Sequence, residues 1–357
     1  MSPNETTLGR LREYFVGPSR FMTLLSCFEL GVIDALRKQG PLTAQELGSR
    51  CGATPDSLGQ LLLLLQKEGF VVLDPSSSRY SLGSFASLSE EELRAVRAEL
   101  DMIKLVSLRQ LFHLSDSVRS GAPVGLKELY GHDGNLYELL GAAPELRGAW
   151  AALMNSVTAR VDPWFFGNID IPAGSRVLDL AGNTGLGAVH TLEHAGDADI
   201  TVTTFDLPEK EQECLATFRA HGVEDRCSFI GGDVFKAVPA GHDVILVKHF
   251  LPMFDEPAVR EILRKIHEAS APGTAVHVLV PVVPEDVTDP QNYTVDFYPS
   301  FFIGCAMGRG GPRKLSTWTS WLQESGFEIT GTALDDPRNA PAQALTYEAV
   351  ISARRAT

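Results

Sequence analysis

From about residue 169 onward, short apolar runs alternate with stretches whose apolar residues follow helical spacing. The strand-like runs cover residues 176–180, 200–205, 227–230, 243–247 and 275–283, with a final pair near Phe327 and Tyr347. Helical stretches separate them, among them one that ends at His194 and others that begin at Lys210 and Pro257. This alternation predicts an α/β fold, a parallel sheet with helices on both faces. Ligands of such sheets bind at the carboxyl ends of the strands.

The first of these strands leads into a glycine-rich turn. Asp179 lies at the end of the strand, and Gly182 and Gly185 follow it. Glycines let the backbone approach a ligand closely, and the helix that begins here offers free N–H groups. Such a turn is shared by nucleotide and dinucleotide sites, and it also occurs as a tight turn that binds nothing.

The next three strand ends favour a nucleoside ligand. Asp206 follows the glycines by about twenty residues, where a carboxylate accepts hydrogen bonds from ribose hydroxyls. Asp233 and Phe235 follow the third strand, so a carboxylate and a ring are available to bond and pack an adenine. The fourth strand ends at Lys248 and His249. Four neighbouring ends with suitable groups indicate a site far more specifically than the glycines alone.

Length and composition exclude several classes of protein. The 357 residues suggest two or three domains, and 44% apolar with 21% charged residues is typical of a soluble globular chain. We expect neither a membrane span nor a secretory signal, since no long uncharged apolar run occurs and the first residues lack a basic segment followed by an apolar one. The net charge of −14, from 31 basic and 45 acidic residues, argues against nucleic-acid binding.

The cysteines and histidines do not predict a metal site. Five cysteines without a C-x-x-C pair are scattered along the chain: Cys27, Cys51, Cys214, Cys227 and Cys305. They indicate neither a disulfide framework nor a zinc site, and a reducing cytoplasm is the expected compartment. His190 and His194 match the H-x-x-E-H pattern of zinc peptidases. Because they lie on the helix after the glycine turn, we interpret them as a solvated surface pair and expect no metal.

The first 92 residues predict helices and a small β-ribbon in the order of a winged helix. Apolar residues follow helical spacing from Leu8 to Leu36, and Thr43 with Glu46 forms a capping box. Two strand-like runs follow at residues 70–73 and 80–82. One winged helix cannot bury the whole N-terminal apolar stretch, so we expect a homodimer.

A winged helix also occurs in transcription factors, where the helix that begins after Thr54 would read DNA. That helix offers only Lys67 against Asp56 and Glu68, and residues 61–65 are all leucine. A helix that reads a groove needs exposed basic or amide side chains. The segment therefore favours a role in dimerisation or as a substrate lid.

Residues 93–168 predict further helices, and spacing shows no catalytic pattern there. One long amphipathic stretch covers residues 91–117, and two shorter helices cover residues 135–140 and 144–161.

Taken together, the motifs make this chain resemble the caffeate O-methyltransferase family of bacterial and plant small-molecule methyltransferases. The resemblance covers essentially the whole chain and rests on DLAGNTG, FDLP, GGDVF, KHFLPMFDEPAVREILRKIHEA and GRGGPRKLSTWTSWLQESGF. It implies a winged-helix dimerisation domain over residues 1–92 and a helical linker over residues 93–168 that contributes to the substrate pocket. It further implies a Rossmann-like domain over residues 169–357 that binds S-adenosylmethionine, and a cytoplasmic homodimer with a small aromatic substrate.

The resemblance also assigns cofactor contacts. They fall on Thr158, Asp179, Gly182, Gly185, Asp206, Leu207, Asp233, Val234, Phe235 and Lys248. The first four would hold the methionine part, Asp206 the ribose, and the next four the adenine, while Lys248 would close over the cofactor. Ala181 and Asn183 replace glycines of the family's usual turn, and a small alanine keeps that turn possible.

The catalytic base that the resemblance implies is missing. In the family, a histidine four residues after the lysine removes a phenol proton, oriented by glutamates from two later segments. Here the histidine position is Pro252, and the glutamates fall near Leu279 or Val280 and near Pro312. Proline has no proton to move, so another group has to act. Pro252 and Met253 also replace the adjacent His and Asp that hold iron in keto-acid C-methyltransferases of this fold.

Four side chains near the expected pocket mouth are candidate proton acceptors: His249, Tyr293, Asp296 and Tyr298. Structural roles compete with this, since His249 can pack beside the adenine and Asp296 can cap a helix that begins at Phe297. The resemblance assigns the substrate pocket to Trp150, Met154, Phe250, Phe297, Phe301, Phe302 and Met307, although the spacing of the phenylalanines also fits core packing. Arg309 and Arg313 either pair with a substrate carboxylate or lie in solvent.

The functional prediction depends on the absence of the whole O-methylation triad, that is, the histidine and its two glutamates. This absence makes the chain most similar to members that methylate a ring carbon of hydroxylated aromatic amino acids or kynurenines in bacterial antibiotic biosynthesis. O-methylation of a phenol or carboxylate with a different base is the alternative. A third class retains S-adenosylmethionine without transferring its methyl group, and a binding or regulatory protein is the last.

Overall fold

The structure is a computed structural model that describes residues 3–196, 198–288, 294–335 and 347–356. The chain divides into two compact units, Met1–Asp101 and Met102–Thr357. In the described ranges, no single helix is long and apolar enough to cross a membrane. The bent pair Thr6–Glu29 and Val32–Gln39 meets the length and composition criteria only when its two helices are taken together.

The first unit combines helices with a small antiparallel sheet, as predicted. Helices α1 to α5 cover Pro3–Glu29, Val32–Gln39, Ala44–Cys51, Pro55–Lys67 and Glu90–Met102. Strands β1 to β3 cover Leu42–Thr43, Val71–Asp74 and Arg79–Leu82, in the order β1-β3-β2. The capping box at the start of α3 is confirmed, because Thr43 Oγ1 accepts the Glu46 N–H at 3.2 Å and Glu46 Oε2 accepts the Thr43 N–H at 2.7 Å.

Helix α1 has an exposed apolar face. Its exposed large apolar side chains are Leu8, Leu11, Tyr14, Phe15, Val16 and Met22. Leu25 and Cys27, closer to its end, are completely buried, and Cys27 belongs to the core of the first unit. The first five helical turns of the chain thus leave apolar surface that this unit does not cover.

Short helices fill the region before the large sheet. Helices α6 to α10 cover Arg109–Leu111, Leu114–Ser120, Val124–Tyr130, Leu136–Ala142 and Pro144–Phe166. The single helical stretch predicted over residues 91–117 is wrong, because a π-helical turn at Ile103–Leu108 interrupts it. This turn buries Val106 and Ser107. A π-turn takes about one residue more than an α-turn, so the apolar spacing still resembles that of a continuous helix.

The second unit is built on a seven-stranded sheet. Strands β4 to β10 cover Arg176–Leu180, Thr201–Asp206, Cys227–Gly231, Val244–Lys248, Ala275–Pro281, Phe327–Asp335 and Glu348–Arg355, in the order β6-β5-β4-β7-β8-β10-β9. The five strands from β4 to β8 are parallel. Their carboxyl ends therefore lie along one edge, with β4 and β7 at the centre.

The final pair corrects the prediction of an entirely parallel sheet. Strand β10 runs antiparallel to both β8 and β9. The sheet is consequently mixed. An apolar run indicates a strand but not its direction, so the sequence pattern does not reveal that this strand is antiparallel.

Helices cover both faces of the sheet, as predicted. Helices α11 to α15 cover Leu186–Ala195, Glu211–His221, Glu256–Ala269, Thr294–Phe301 and Leu315–Glu324, and a π-helical turn follows at Phe302–Ala306. Leu178 and Ile245 belong to a core that includes α13 and α15, whereas Val177 and Val244 belong to one with α10, α11 and α12. Neighbouring residues of one strand thus point to opposite faces, which is the alternation expected of a β-strand.

Candidate active site

The turn after β4 places its backbone against two acidic side chains. A Cβ atom on Gly182 would lie 2.4 Å from Asp179 Oδ2, so this carboxylate requires glycine beside it. Asn183 donates its backbone N–H to Asp206 Oδ2 at 2.8 Å. Gly185, with a φ of 78°, precedes α11, and a Cβ there would lie 2.6 Å from Cys214 Sγ. The turn therefore links the ends of β4 and β5 and packs on α12.

The two residues that replace glycines keep the shape of this turn. Ala181 has a φ of 59° and Asn183 a φ of 51°, so both lie in the left-handed region. Asparagine tolerates this region well, whereas alanine does so only under some strain. The Ala181 N–H donates to the Phe205 carbonyl at 2.7 Å, which helps to hold it there.

Asp179 is a buried carboxylate with an unsatisfied oxygen. The residue is 1% exposed, and its Oδ2 has no hydrogen-bond partner among the described residues. Burial raises the pKa of Asp179 to about 6, and nearby Asp162 and Asp206 add to this while Lys248 opposes it. A buried acceptor without a partner is unfavourable, so the site fits a ligand that brings a cationic donor.

The carboxylate of Asp206 is fixed by the backbone at the end of β5. Besides the Asn183 N–H, it accepts the Leu207 N–H at 2.7 Å through Oδ1. Burial raises the pKa of Asp206, and these two hydrogen bonds oppose that rise. A carboxylate has about four acceptor positions, so Asp206 can still accept hydrogen bonds from hydroxyl groups.

The residues assigned to adenine differ in their surroundings. Leu207 and Phe235 are 46% and 39% exposed, and Phe235 meets Phe254 edge to face at 5.4 Å. Asp233 Oδ1 accepts the Phe235 N–H at 3.0 Å. Val234 is 8% exposed and packs into the core beneath.

A buried charge network lies beside Asp179. Lys248 Nζ lies 2.9 Å from both carboxylate oxygens of Asp162, and His190 Nδ1 lies 2.8 Å from Asp162 Oδ2. Asp162 is 2% exposed. Burial alone would raise the pKa of Asp162, but the hydrogen bonds and charges of His190 and Lys248 outweigh it and lower that pKa. No spacing pattern pointed to Asp162, which sequence reasoning missed.

The interpretation of His190 and His194 as a solvated surface pair is wrong for His190, whose side chain is 20% exposed, whereas His194 is exposed. His190 pairs with Asp162, and the His194 ring stacks on Phe166 with 5.2 Å between ring centres. Both contacts arise because α11 packs on α10, a neighbour that the local sequence does not indicate. In the described part of the chain, no group of three or more His, Cys, Asp or Glu side chains is arranged to hold a metal.

A cavity at the carboxyl ends of the strands brings many of these residues together. Of the residues assigned from the sequence, it is lined by Met154, Thr158, Asp179, Gly182, Lys248 and His249. Residues not foreseen also line it: Asn155, Asp162, Ala181, Asn183, Thr184, Leu186, Gly187 and Leu279. Asn155 accepts a hydrogen bond from Thr184 Oγ1 at 3.3 Å, so helix α10 forms one wall of the cavity and the glycine turn another.

His249 lies in this cavity wall with a buried acidic partner. Its Nε2 is 3.1 Å from Glu348 Oε2, and its backbone N–H donates to the Leu279 carbonyl at 2.9 Å. The side chains of His249 and Glu348 are 15% and 5% exposed. His249 has a φ of 52°, a left-handed conformation that is rare for a residue with a Cβ. Glu348 was not among the predicted residues, because it lies on the last strand.

The other predicted proton acceptors are placed differently. Asp296 is exposed in the first turn of α14, which begins at Thr294 rather than at Phe297, so Asp296 does not cap it. Tyr298 packs against the core that contains Phe301 and Phe302. Tyr293 lies outside the described residues.

Aromatic side chains from α10 and α14 form a stacked cluster. Trp150 stacks on Phe301 with 5.9 Å between ring centres and 4° between planes, and Phe297 also stacks on Phe301, with 5.4 Å between ring centres. Phe302, Tyr298 and Met307 belong to the same core. Phe250 lies elsewhere, edge to face with Phe254 at 5.1 Å. The cluster joins five predicted side chains from the α14 region to Trp150 of α10, the helix that lines the cavity.

Pro252 occupies the expected position of the base. It is buried, and its carbonyl accepts the Gly311 N–H at 2.7 Å. Arg313 lies on the neighbouring segment, where its carbonyl accepts the Val283 N–H at 3.0 Å. The Arg313 guanidinium donates only to the carbonyls of Gly310 and Pro312, at 3.5 and 3.3 Å, among contacts of the described residues.

Two family models match the chain. The O-methyltransferase domain matches residues 111–328, and the O-methyltransferase dimerisation domain matches residues 13–89. Among curated proteins, the chain is 26% identical over 332 residues to a 3-amino-4-hydroxybenzoate 4-O-methyltransferase of Streptomyces cremeus, covering 91% of this chain and 86% of the relative. It is 21% identical over 317 residues to an L-tyrosine C(3)-methyltransferase of Streptomyces lavendulae, covering 87% and 84%.

Solved structures share the fold over the full length. The mitomycin 7-O-methyltransferase MmcR has a TM-score of 0.81 at 22% identity and covers 99% of both chains. Human N-acetylserotonin methyltransferase in complex with S-adenosylmethionine has a TM-score of 0.82 at 20% identity and covers 100% of both. The chain belongs to the O-methyltransferase family, whose methyl donor is S-adenosylmethionine, and it carries that family's dimerisation domain.

Proposed function

We propose that this enzyme transfers a methyl group to a small hydroxylated aromatic acceptor that carries a carboxylate, as aromatic amino acids and kynurenines do, in bacterial antibiotic biosynthesis. The observation that carries the proposal is the cavity at the strand ends. It contains an unsatisfied buried carboxylate, Asp179, and its helical wall α10 also carries Trp150 of the aromatic cluster.

The residues around the cavity fit S-adenosylmethionine. The orphan oxygen of Asp179 suits the α-ammonium group, Thr158 suits the α-carboxylate, and Asp206 has acceptor positions left for the ribose. When bound, the cofactor supplies an electrophilic methyl group on a positively charged sulfur. Lys248 is held by Asp162, so its part is a fixed positive charge beside Asp179 rather than a mobile cover.

At the adenine end, the exposed side chains of Leu207 and Phe235 offer apolar surface to a flat base. Asp233 remains an acceptor there, although one of its oxygens already accepts the Phe235 N–H. The Val234 side chain packs in the core, so it does not contact the base itself. Its part is to hold the neighbouring residues Asp233 and Phe235 in place.

The aromatic cluster suits a flat acceptor ring. Trp150 and Phe301 present parallel ring planes, and Met154 of the same helix lines the cavity. Arg313 adds a guanidinium with unused donors near Phe302, since both Arg313 Nη1 and the Phe302 ring lie 3.8 Å from the position of a Cβ on Gly311. A guanidinium binds a carboxylate through two parallel hydrogen bonds.

The phenol oxygen is the first candidate for the methylated atom. The prediction of carbon methylation rested on the absence of a base at Pro252, but the imidazole of His249 lies in the same cavity as Asp179. The 4-O-methyltransferase relative acts on a hydroxybenzoate, an acceptor of this chemical class. A ring carbon is the second candidate, favoured by Pro252 and by the tyrosine C(3)-methyltransferase relative.

The experiment is an incubation with S-adenosylmethionine labelled with carbon-13 in its methyl group. The acceptors are hydroxylated aromatic amino acids, kynurenines, hydroxybenzoates and matched phenols that lack the carboxylate. NMR separates oxygen-bound from carbon-bound methyl groups. An oxygen-bound methyl on the carboxylated acceptors supports the first candidate, and a carbon-bound methyl supports the second. Methylation of the neutral phenols alone contradicts the acceptor class.

We also propose that the enzyme is a homodimer of the cytoplasm. The dimerisation domain matched at residues 13–89 includes much of the exposed apolar face of α1. Unpaired cysteines at all five positions agree with a reducing compartment.

A further inference from the structure

His249 and Glu348 form a buried imidazole–carboxylate pair at the edge of the cavity. Both side chains are almost shielded from water, and 3.1 Å separates Nε2 from Oε2. The two residues are 99 positions apart in the chain, and they come from the end of β7 and the start of β10. Strand β8 lies between those two strands, so the pair spans it at the edge where ligands bind.

The backbone holds the imidazole in one orientation. His249 has a left-handed φ of 52°, and its N–H bond to the Leu279 carbonyl anchors that conformation on β8. Residues in such conformations persist where the surroundings fix them, often in active sites. Glu348 is fixed too, because it is paired with Pro281 in the register of β10 against β8.

The pair lies beside the position where the base was expected. Pro252 follows His249 by three residues, and the glutamate expected near Leu279 or Val280 is absent. Glu348 lies at the same end of β8, on the neighbouring strand β10. An imidazole and a carboxylate are thus present together, although neither stands at its expected place in the sequence.

We infer that His249 is the catalytic base of the methyl transfer and that Glu348 is its positioning residue; the inference rests on the proposed function. The Glu348 carboxylate accepts a hydrogen bond from Nε2–H, so Nδ1 carries the lone pair that takes a proton from the acceptor. The phenol O–H bond breaks and its proton goes to Nδ1. The electron pair left on the phenolate forms the bond to the methyl carbon, either at oxygen or through the ring at the neighbouring carbon. In the second case that carbon then releases its own proton, which restores the aromatic ring, and the oxygen takes a proton back from His249. The electrons of the broken C–S bond stay on sulfur.

Other charges near His249 enter any pH dependence. Lys248 precedes it, and Asp179 and Asp162 line the same cavity from β4 and α10. Glu348 is its hydrogen-bond partner from β10. Variants therefore have to be compared across pH, and not at one value.

The test compares His249→Gly, Glu348→Gln and a matched control, Ser352→Ala. Glycine accepts the left-handed backbone at 249, so this variant keeps the turn. Ser352 is also on β10 and bonds another buried histidine, His277, at 2.9 Å, but it does not line the cavity. The control thus removes the hydrogen bond between β10 and His277, while His249 and Glu348 are unchanged.

We expect His249→Gly to lower kcat/KM for a phenol by roughly 10²- to 10⁴-fold while calorimetry finds unchanged cofactor affinity. Added imidazole restores part of the rate, and an acidic nitrophenol acceptor, already ionised, loses little. Glu348→Gln lowers the rate by a smaller factor and changes the pH profile of kcat/KM. Ser352→Ala leaves both rate and profile as in the wild type. Wild-type rates and an unaltered pH profile in His249→Gly would overturn the inference.

Nitrogen-15 NMR of the ligand-free enzyme tests the pair without turnover. We expect the proton of neutral His249 on Nε2 in the wild type, and a mixture of tautomers in Glu348→Gln. A proton on Nδ1 in the wild type would overturn the orientation. If the wild type methylates no acceptor, the proposed function fails, and the NMR result still decides how His249 is oriented.

Discussion

Asp179 stands out because its buried carboxylate is incompletely satisfied. The folded protein raises its pKa from 3.8 to about 6, mainly through burial. Between these two pH values, the folded chain keeps a proton that the unfolded chain has released. Stability therefore falls as the pH rises through this window, by about 3 kcal/mol in total at roughly 1.4 kcal/mol per pH unit.

Asp179→Asn tests this destabilisation and the cofactor assignment together. We expect the ligand-free variant to be more stable than the wild type above about pH 6 and to differ little near pH 4, since the amide carries no charge. Its affinity for S-adenosylmethionine should fall, because the carboxylate no longer meets the ammonium group. Urea unfolding at both pH values and calorimetry give the two results. Unchanged affinity would remove Asp179 from the cofactor site.

Arg313 and Arg309 provide a comparison of two nearby guanidinium groups. Arg309 pairs with Asp255 at 3.2 Å, whereas Arg313 donates only to carbonyls of its own turn among the described contacts. We expect Arg313→Met to raise KM for a carboxylated acceptor by about 10- to 100-fold, as for the loss of a charged hydrogen bond. Neutral phenols should be unaffected. Arg309→Met is the control, and an equal effect of both variants on KM would contradict the carboxylate site.

Helices α10 and α11 are joined to strand β7 through Asp162. This carboxylate bonds Lys248 and His190 in a nearly water-free environment. Removing one member of a buried ion pair leaves the other charge unpaired, which typically lowers the free energy of unfolding by about 3–5 kcal/mol.

We therefore expect Asp162→Ala to lower the free energy of unfolding by about 3–5 kcal/mol. Glu328→Gln is the control, because its pair with Arg354 is more than half exposed and should contribute less than about 1 kcal/mol. Urea unfolding of the ligand-free proteins measures both. Equal decreases in the free energy of unfolding of the two variants would show that the buried Asp162 network stabilises the protein no more than an exposed ion pair does.

The elements that sequence could predict are those with local signals. The capping box at Thr43 involves neighbours three residues apart, and the parallel strands show as apolar runs. The π-helical turn at Ile103–Leu108 and the antiparallel β10 were mispredicted, since spacing does not reveal a one-residue insertion or a strand direction.

The candidate site divides in the same way. Asp206 follows its strand at a position that a ribose site requires, so the sequence alone indicated it. Asp162 contacts Lys248 across 86 positions, and Glu348 contacts His249 across 99. Such pairs form only when the chain has folded, and they leave no periodic pattern.

The apolar face of α1 concerns the assembly as a whole. Tyr14 and Phe15 are 77% and 73% exposed in a segment matched by the dimerisation domain. We expect Tyr14→Glu with Phe15→Glu to convert a dimer into a monomer, because two charges would have to be buried. Sedimentation velocity at micromolar concentration measures this. Leu334→Glu, on a strand of the second unit, is the control, and a monomeric wild type would contradict the dimer.

The position of β10 has a consequence for how the enzyme is synthesised. This strand enters the sheet between β8 and β9, both of which precede it in the chain. A ribosome therefore releases the glycine turn, the acidic strand ends and His249 well before the strand that completes the sheet. Until residue 355 has emerged, β8 has an open edge and His249 has no carboxylate. A nascent chain can thus acquire most of the cofactor cradle while it is still without the partner of its base.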